Sequence, residues 1–333
     1  MATTHEIRLA ARPVGVPATS DFVLASLDLP APGDGEVLVH NKFMSVDPYM
    51  RGRMYDRPSY VPPFAIGEVL QGGAVGVVAA SNSDKLKVGD VVLSMLGWRE
   101  AFVTAAGALE KLDVPSGVPM EAFLGVLGMP GLTAWAGLTQ IGKPKPGDVV
   151  FVSGAAGAVG SIVAQVAKLK GCTVVATAGS DEKCEWLKGL GIDHAINYRT
   201  CGNLLAAVQA AAPKGIDIYF DNVGGEHLEV AIEVARPFAR LIECGMISAY
   251  NDTDPAPGPK NLIQIVGKSL TIRGFIVMEF AGLRGDFLAE VGPWIRHGKL
   301  KWQETVLEGI AEAPNAFIGL FEGKNTGKML VKL

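Results

Sequence analysis

Between Val149 and Lys170 the chain runs VVFVSGAAGAVGSIVAQVAKLK, an apolar run that breaks at glycines and resumes as a helical pattern. Val149, Val150, Phe151 and Val152 suit a strand buried in a parallel sheet, while Ile162, Val163, Val166, Ala167 and Leu169 recur at the spacing of one helix face. Between them Gly154, Gly157 and Gly160 follow G-x-x-G-x-x-G, with Ala156 where the usual dinucleotide fingerprint has its second glycine. A strand that turns this tightly into a helix leaves amides at Ala158 to Ser161 facing outward, and the helix dipole favours negative charge there. The segment predicts a βα turn that cradles phosphate. The plainer alternative is a glycine-rich turn with no ligand.

A chain of 333 residues exceeds what one hydrophobic core serves, so two domains are expected. With 49% hydrophobic and 19% charged residues, both can be ordered and well packed. A net charge of −4 gives no electrostatic reason to expect nucleic acid or an anionic membrane as partner, so a bound phosphate must be held locally. The N-terminal stretch MATTHEIRLAARPVG has no apolar core of signal-peptide length, and no apolar run reaches bilayer length, which predicts a cytoplasmic protein. Cys172, Cys184, Cys201 and Cys244 form no C-x-x-C pair and have no histidines at zinc-ligand spacing. Neither a disulfide scaffold nor structural zinc is expected.

From Phe22 to Leu112 short runs punctuated by glycine and proline (GEVLVHNKFMSV, GGAVGVVAA, VGDVVLSML, WREAFVTA) predict a compact β unit with a twisted, barrel-like sheet. Lys87-Val88-Gly89-Asp90 and Lys145-Pro146-Gly147-Asp148 each precede an apolar run as a turn feeding a strand. After Pro130 strands and helices alternate. Strands are expected at 149–153, 173–176, 194–197, 216–221, 240–244 and 270–275, and helices at 158–170, 181–189, 204–212, 225–234, 261–266 and 287–297. This rhythm predicts a doubly wound, Rossmann-type parallel sheet that binds ligands at the carboxyl ends of its strands. The tail from Lys301, with VLEGI and KMLVKL, returns to short strands and is expected to rejoin the N-terminal unit. The boundaries are 1–127 plus 299–333 for the catalytic domain and 128–298 for the nucleotide domain.

An NAD site carries an acidic residue at the end of its second strand, where it accepts both ribose hydroxyls. Here that strand ends in Thr177-Ala178-Gly179-Ser180, with no carboxylate. Asp181 and Glu182 fit the first turn of the next helix with Ser180 as N-cap, and Lys183 stands where an ammonium meets a 2′-phosphate. NADPH is therefore expected in preference to NADH.

Several further segments join this turn in order along the chain: SVDPYMRGRM (45–54), GMPGLTAWAGL (128–138), GSDEK (179–183), NYRT (197–200), YFDNVGGE (219–226), CGMISAYN (244–251), GFIV (274–277) and NTGKMLVKL (325–333). On these residues the chain resembles the zinc-independent medium-chain dehydrogenase/reductase superfamily, and within it the NADPH-dependent alkenal/one oxidoreductases. The resemblance implies a GroES-like catalytic domain into which the Rossmann domain is inserted. It also implies reduction of a carbon–carbon double bond conjugated to a carbonyl. The implied cofactor contacts are Gly157, Ala158, Val159 and Gly160 at the pyrophosphate, Lys183 at the 2′-phosphate and Tyr198 at the adenosine. Asn222, Cys244, Gly245, Ile247, Ser248, Tyr250, Phe275, Ile276, Val277 and Asn325 are implied elsewhere along NADPH. A homodimer joined near the sixth strand is implied as well.

Two departures from the pattern stand out. Relatives with catalytic zinc carry Gly-His-Glu where this chain has Ile66-Gly67-Glu68-Val69, so no metal is expected. Gly267 aligns with a tyrosine that several relatives place near the cofactor.

The implied reaction moves hydride to the β-carbon of an enal or enone, and the resulting enolate is protonated at the α-carbon. It needs a donor at the carbonyl oxygen, for which the candidates are the cofactor's own ribose hydroxyl, Tyr250, which fits cofactor binding better, and Tyr49 in Asp47-Pro48-Tyr49-Met50-Arg51, with a packed aromatic as the plain alternative for Tyr49. Met129, Trp98 and Met278 are candidates for an apolar substrate pocket, with core packing as their default; Arg51 and Arg53 either attract a carboxylated substrate or pair with an acid. His194, His227, Asp217 and Asp221 are expected to be structural. Two other readings compete: a quinone reductase of the same superfamily and a non-catalytic NADPH sensor.

Overall fold

The computed structural model describes residues 3–255 and 257–333. The chain opens with strands β1 (Thr3–Leu9), β2 (Phe22–Asp28) and β3 (Glu36–Ser45), a helical turn α1 (Met50–Arg53), then β4 (Ala74–Ser81), β5 (Val91–Ser94), β6 (Ala101–Ala105) and β7 (Glu110–Lys111). Helix α2 (Met129–Ala136) starts a second series: β8 (Val149–Val152), α3 (Gly160–Leu169), β9 (Thr173–Ala178), α4 (Asp181–Gly189), β10 (His194–Asn197), α5 (Leu204–Ala211), β11 (Ile216–Asp221), α6 (Glu226–Val234), β12 (Ala235–Glu243), α7 (Gln264–Lys268), β13 (Thr271–Gly274) and α8 (Arg284–Arg296). The chain closes with β14 (Glu304–Glu308), α9 (Ala313–Glu322) and β15 (Lys328–Lys332).

These elements form two compact units. One comprises residues up to 124, 304–325 and 329–333; the other comprises 125–303 and 326–328. The composition-based limits of 127/128 and 298/299 differ from this division by a few residues. They also miss the return of 326–328, where Gly327 N donates to Ala156 O at 2.7 Å and Lys328 N to Gln303 O at 3.0 Å. A three-residue crossing leaves no mark in composition.

In the first unit β14-β15-β3-β4-β5-β7 form one sheet, β6 pairs with β3, and β1 and β2 form a separate hairpin-like pair. The two turn motifs are realised alike. Asp90 Oδ2 accepts from Lys87 N at 2.8 Å and Asp148 Oδ2 from Lys145 N at 3.0 Å, while Gly89 and Gly147 take φ of +91° and +90°. Trp98 is fully buried, stacked on Phe22 at 5.9 Å and edge-on to Phe317. It is therefore core and lines no pocket. Arg51 and Arg53 are engaged within this unit. Arg51 Nη2 donates to the carbonyls of Pro13 and Gly15 and its guanidinium covers Tyr55, while Arg53 binds Pro62 O and Gln71 and covers Phe64. Both arginines tie loops together, because a planar guanidinium reaches carbonyls and ring faces at once.

In the second unit the strand order is β10-β9-β8-β11-β12-β13, with parallel pairing throughout, the doubly wound order in which the sheet reverses direction beside β8. Apolar side chains at 0% exposure fill both faces, among them Phe151, Val175, Tyr219, Leu241, Val150, Phe220 and Ile242. The fifth strand begins at Ala235, earlier than the predicted Arg240, and its register against β11 shifts between Ile216 and Ile218. Phe238 sits in this stretch with φ of +67°, and Arg-Pro-Phe reads as turn in sequence although the backbone stays in the ladder.

Candidate functional site

Gly154 turns the chain with φ of +56°, and a side chain at Gly160 would meet the carbonyl oxygen of Gly154 at 2.5 Å. Only glycine lets α3 start this close to the end of β8. Ala155 and Ala156 are buried beneath the turn, with Ala155 N bound to Thr177 O at 2.9 Å. Gly157 N folds back on Gly154 O at 3.0 Å. Among the described residues the amides of Ala158 and Val159 donate to no acceptor, so the mouth of the turn presents free N–H groups at a helix N-terminus.

At the end of β9 Ser180 caps α4, its hydroxyl accepting from Lys183 N at 3.3 Å. Asp181 accepts from the side chain of Asn197 at 2.7 Å and so faces β10. The place an NAD-type acid would take is held by Gly179, where an added Cβ would lie 3.0 Å from the Tyr198 hydroxyl and 3.4 Å from Arg199 Nε. Burial pushes the Lys183 ammonium below its usual range, and the nearby Arg199 lowers it further. Two cations therefore gather at this strand end. Arg199 is a residue the sequence reading passed over, although it follows Tyr198 directly after the third strand. Its signal is that position, two residues past a strand end. Tyr198 is edge-on to His227 at 5.1 Å between ring centres.

Asn222 and the loop after β12 are fixed from below. Ser153 donates its hydroxyl to Asp221 Oδ1 at 2.7 Å and accepts from Asn222 N at 2.8 Å, and Asn222 Nδ2 donates to Ser153 O at 2.8 Å. Asp221 Oδ1 also accepts from Val223 N and Gly224 N, each at 2.8 Å. Asp221 O takes the amides of Cys244 and Gly245, Asn222 O takes Ile247 N, and Ser248 donates to Val223 O at 2.6 Å. The Tyr250 hydroxyl lies by Met246 N at 3.4 Å. Residues 222–224 and 244–250 are thus one laced surface. Burial, with Asp221 and Glu243 adding to it, pushes the Cys244 thiol up to about 12, so it is no nucleophile.

Phe275 is buried edge-on to Phe220 and Phe280, while Ile276 and Val277 are more exposed. Met129 and Met278 are 40% and 74% exposed on the same unit. Gly267 is exposed in α7, and a Cβ there would meet nothing. His194 is exposed at the start of β10, and Asp217 pairs with Arg236 at 2.7 Å. Tyr49 and Asn325 belong to the first unit, with Asn325 immediately before the 326–328 crossing. Tyr49 is half-buried against that unit's core, and burial, then the charge of Asp47, raises its phenol well above the ordinary range.

Among the described residues no group of three or more histidine, cysteine, aspartate or glutamate side chains is arranged to hold a metal ion, and no helix is long and apolar enough to cross a membrane. Residues 5–112 match the family described as N-terminal domain of oxidoreductase, and residues 158–292 match that described as zinc-binding dehydrogenase. The chain is 45% identical to prostaglandin reductase 1 of Bos taurus, covering 96% of each chain, and 41% identical to the NADPH-dependent curcumin reductase of Escherichia coli K12, covering 98% and 95%. Its fold superposes on the crystal structure of CurA in complex with NADPH from Vibrio vulnificus with a TM-score of 0.92, at 42% identity and 98% coverage of both chains. With a doubly wound sheet in one unit, a GroES-like β sheet in the other and this likeness along its whole length, the chain belongs to the alkenal/one oxidoreductase group of the zinc-independent medium-chain dehydrogenase/reductase superfamily.

Proposed function

We propose that this protein is an NADPH-dependent oxidoreductase that reduces the carbon–carbon double bond of α,β-unsaturated aldehydes or ketones. The observation that carries the reading is the strand end at Gly179, where Lys183 and Arg199 gather and no carboxylate stands. Two cations there suit a 2′-phosphate, and the missing acid removes the repulsion that would reject it. The other half of the fit is the turn at Gly154–Gly160, whose free amides and absent side chains suit a pyrophosphate. We assign Gly157 to Gly160 to the pyrophosphate, Lys183 and Arg199 to the 2′-phosphate, and Tyr198 to the adenosine. Asn222, the 244–250 loop and Phe275 to Val277 are assigned to the nicotinamide half.

Bound NADPH supplies the hydride. The chain supplies positioning and a hydrogen-bond donor for the carbonyl oxygen. Tyr49 is our candidate donor: with its phenol raised by burial and by Asp47, it holds its proton through the physiological range. Met129 and Met278 offer exposed, adaptable apolar surface to the carbon skeleton. A homodimer in the cytoplasm completes the proposal. Supporting the dimer, β13 ends its sheet, and Ile263 and Val266, just before and within the helix that precedes it in the chain, are 78% and 77% exposed.

A screen of NADPH oxidation with medium-chain enals, enones, curcuminoids and quinones, repeated with NADH, tests the proposal. Faster turnover of enals or enones than of quinones, with NADPH preferred, is expected. Quinones reduced much faster than any enone would overturn the substrate class, and equal use of NADH would overturn the assignment of Lys183.

A further inference from the structure

A row of polar side chains crosses the carboxyl ends of four neighbouring strands on the face covered by α6. Thr177 of β9, Ser153 after β8, Asp221 of β11 and Glu243 of β12 contribute to it, and Asp221 and Glu243 are register partners on adjacent parallel strands. Parallel neighbours lie about 4.8 Å apart, so the two carboxyl groups point into one small volume. Asp221 is 0% exposed. Its Oδ1 accepts three hydrogen bonds, from Ser153, Val223 and Gly224, which leaves no place for a proton on that oxygen. Its Oδ2 and both oxygens of Glu243 are buried without a hydrogen-bond partner among the described residues, as are Thr177 Oγ1, the Tyr219 hydroxyl and His227 Nε2. Orphaned buried oxygens are costly, and two buried carboxylates side by side do not both ionise.

We propose that Glu243 is a positioning residue for the nucleotide loops, acting through Asp221: the two carboxyl groups share one proton between neighbouring strands, and this bond holds residues 222–224 against 244–250. The proton resides on Glu243 and bridges to Asp221 Oδ2, satisfying two orphaned oxygens at once. The strand ends concerned run directly into Asn222 and Cys244, so strain in the row reaches both loops within one residue. The protonation chemistry agrees with the geometry. Burial and then the charge of Asp221 push the Glu243 carboxyl up to about 9.

Burial lowers His227, raises Tyr219 well above its usual range and pushes Cys244 up to about 12. β13 presents Gly274 opposite Glu243; in α7 Lys268 is engaged by the carbonyls of Ile232 and Glu233, and the Glu233 carboxylate by Gln264 and Asn261. Glu243 is thus raised into the range between pH 7 and 10. Its loss of the proton to solvent places two negative charges on adjacent strands and loosens the loops.

The role in cofactor binding rests on the NADPH reading above, so the test has one arm with cofactor and one without. NADPH dissociation constants are measured from pH 7 to 10 for the native protein, Glu243→Gln and Glu243→Leu, with the pH dependence contributed by Lys183 common to all three. The native affinity is expected to fall at least tenfold further over this range than that of Glu243→Gln, which keeps a neutral donor. Glu243→Leu, lacking the bond, is expected to bind about tenfold more weakly at pH 7. A Glu243→Gln profile parallel to the native one, or native-like affinity of Glu243→Leu at pH 7, overturns the positioning role. In the arm without cofactor, the melting temperature of the native protein is expected to drop below that of Glu243→Gln progressively from pH 5 to 9. A constant gap overturns the shared proton, whether or not NADPH binds.

Discussion

Ser153 donates its hydroxyl to Asp221 at 2.7 Å, joining the ends of two adjacent strands beneath the loop that begins at Asn222. The same oxygen accepts the Asn222 amide at 2.8 Å, so one small side chain sets the exit direction of the chain after β11. Ser153→Ala leaves the Asn222 amide without this acceptor and removes one of three donors from a fully buried carboxylate. A loss of about 1–3 kcal/mol in stability is expected, with weaker NADPH binding. Urea unfolding of the two proteins measures it, and equal midpoints would show that the hydroxyl does not carry this load.

Lys183→Ala and Arg199→Ala should each raise the dissociation constant for NADPH by roughly 10–100-fold and leave NADH nearly unchanged, since a charge-assisted bond to phosphate contributes about 1.5–3 kcal/mol. The pH dependence follows from the lowered Lys183 ammonium: it is charged below its folded-state pKa and neutral above it. Preference for NADPH over NADH therefore declines as pH rises, beginning earlier than for an ordinary lysine. In Arg199→Ala the decline shifts to higher pH because the repelling cation is gone. Fluorescence titrations with both cofactors at several pH values read the effect.

Gly160→Ala puts a methyl group against Gly154 O and the Cα of Ala155, at 2.5 and 2.7 Å. Backbone on both sides cannot yield without moving α3 from β8. Overpacking of this kind costs about 1–3 kcal/mol, and NADPH binding should be lost with it. Calorimetric unfolding and cofactor titration of the variant give the answer; native stability and affinity together would refute the close-approach argument.

The raised Glu243 carboxyl has a consequence for the pH dependence of stability. An acid whose folded-state pKa lies near 9, against an ordinary value near 4.5, holds one more proton in the folded than in the unfolded protein between those limits. Its contribution to stability thus falls with rising pH across that window, by up to about 1.4 kcal/mol per pH unit, and is flat above it. Glu243→Gln removes this slope. Denaturant midpoints of the two proteins should converge near pH 5 and separate toward pH 9, with the variant the more stable.

Tyr49→Phe keeps the packing of a half-buried ring and deletes one hydroxyl. If that hydroxyl donates to the carbonyl oxygen, kcat falls about 100-fold while NADPH binding stays unchanged. Because burial and Asp47 raise the phenol, no fall in native activity from Tyr49 ionisation is expected below pH 10. Steady-state kinetics on an enone substrate decides, and an unchanged kcat assigns Tyr49 to packing alone.

The nucleotide half was legible in sequence because its signals are local. His194–Asn197, Ile216–Asp221 and Asp181–Gly189 coincide with predicted elements, each bounded by a cap, a glycine or a charge that interrupts an apolar run. Where the local pattern is ambiguous, tertiary pairing decides. Arg236-Pro237-Phe238 has the composition of a turn but lies within β12, where sheet pairing overrides local preference. Helix α9 lies in a tail expected to hold only short strands, although Pro314 at its start and Gly323 just past its end, with φ of +70°, mark its limits.

From the sequence alone came the order of elements, the phosphate turn, the vacant acid position and Lys183, all properties of residues within a few positions of one another. The tertiary structure decided which distant residues share a volume. It set Arg199 beside Lys183, turned Arg51 and Arg53 into loop ties, sank Trp98 into the core and laid Glu243 against Asp221 on neighbouring strands. A charge's partner and its exposure depend on strand register and chain crossing, which join residues tens of positions apart, and no local spacing encodes them.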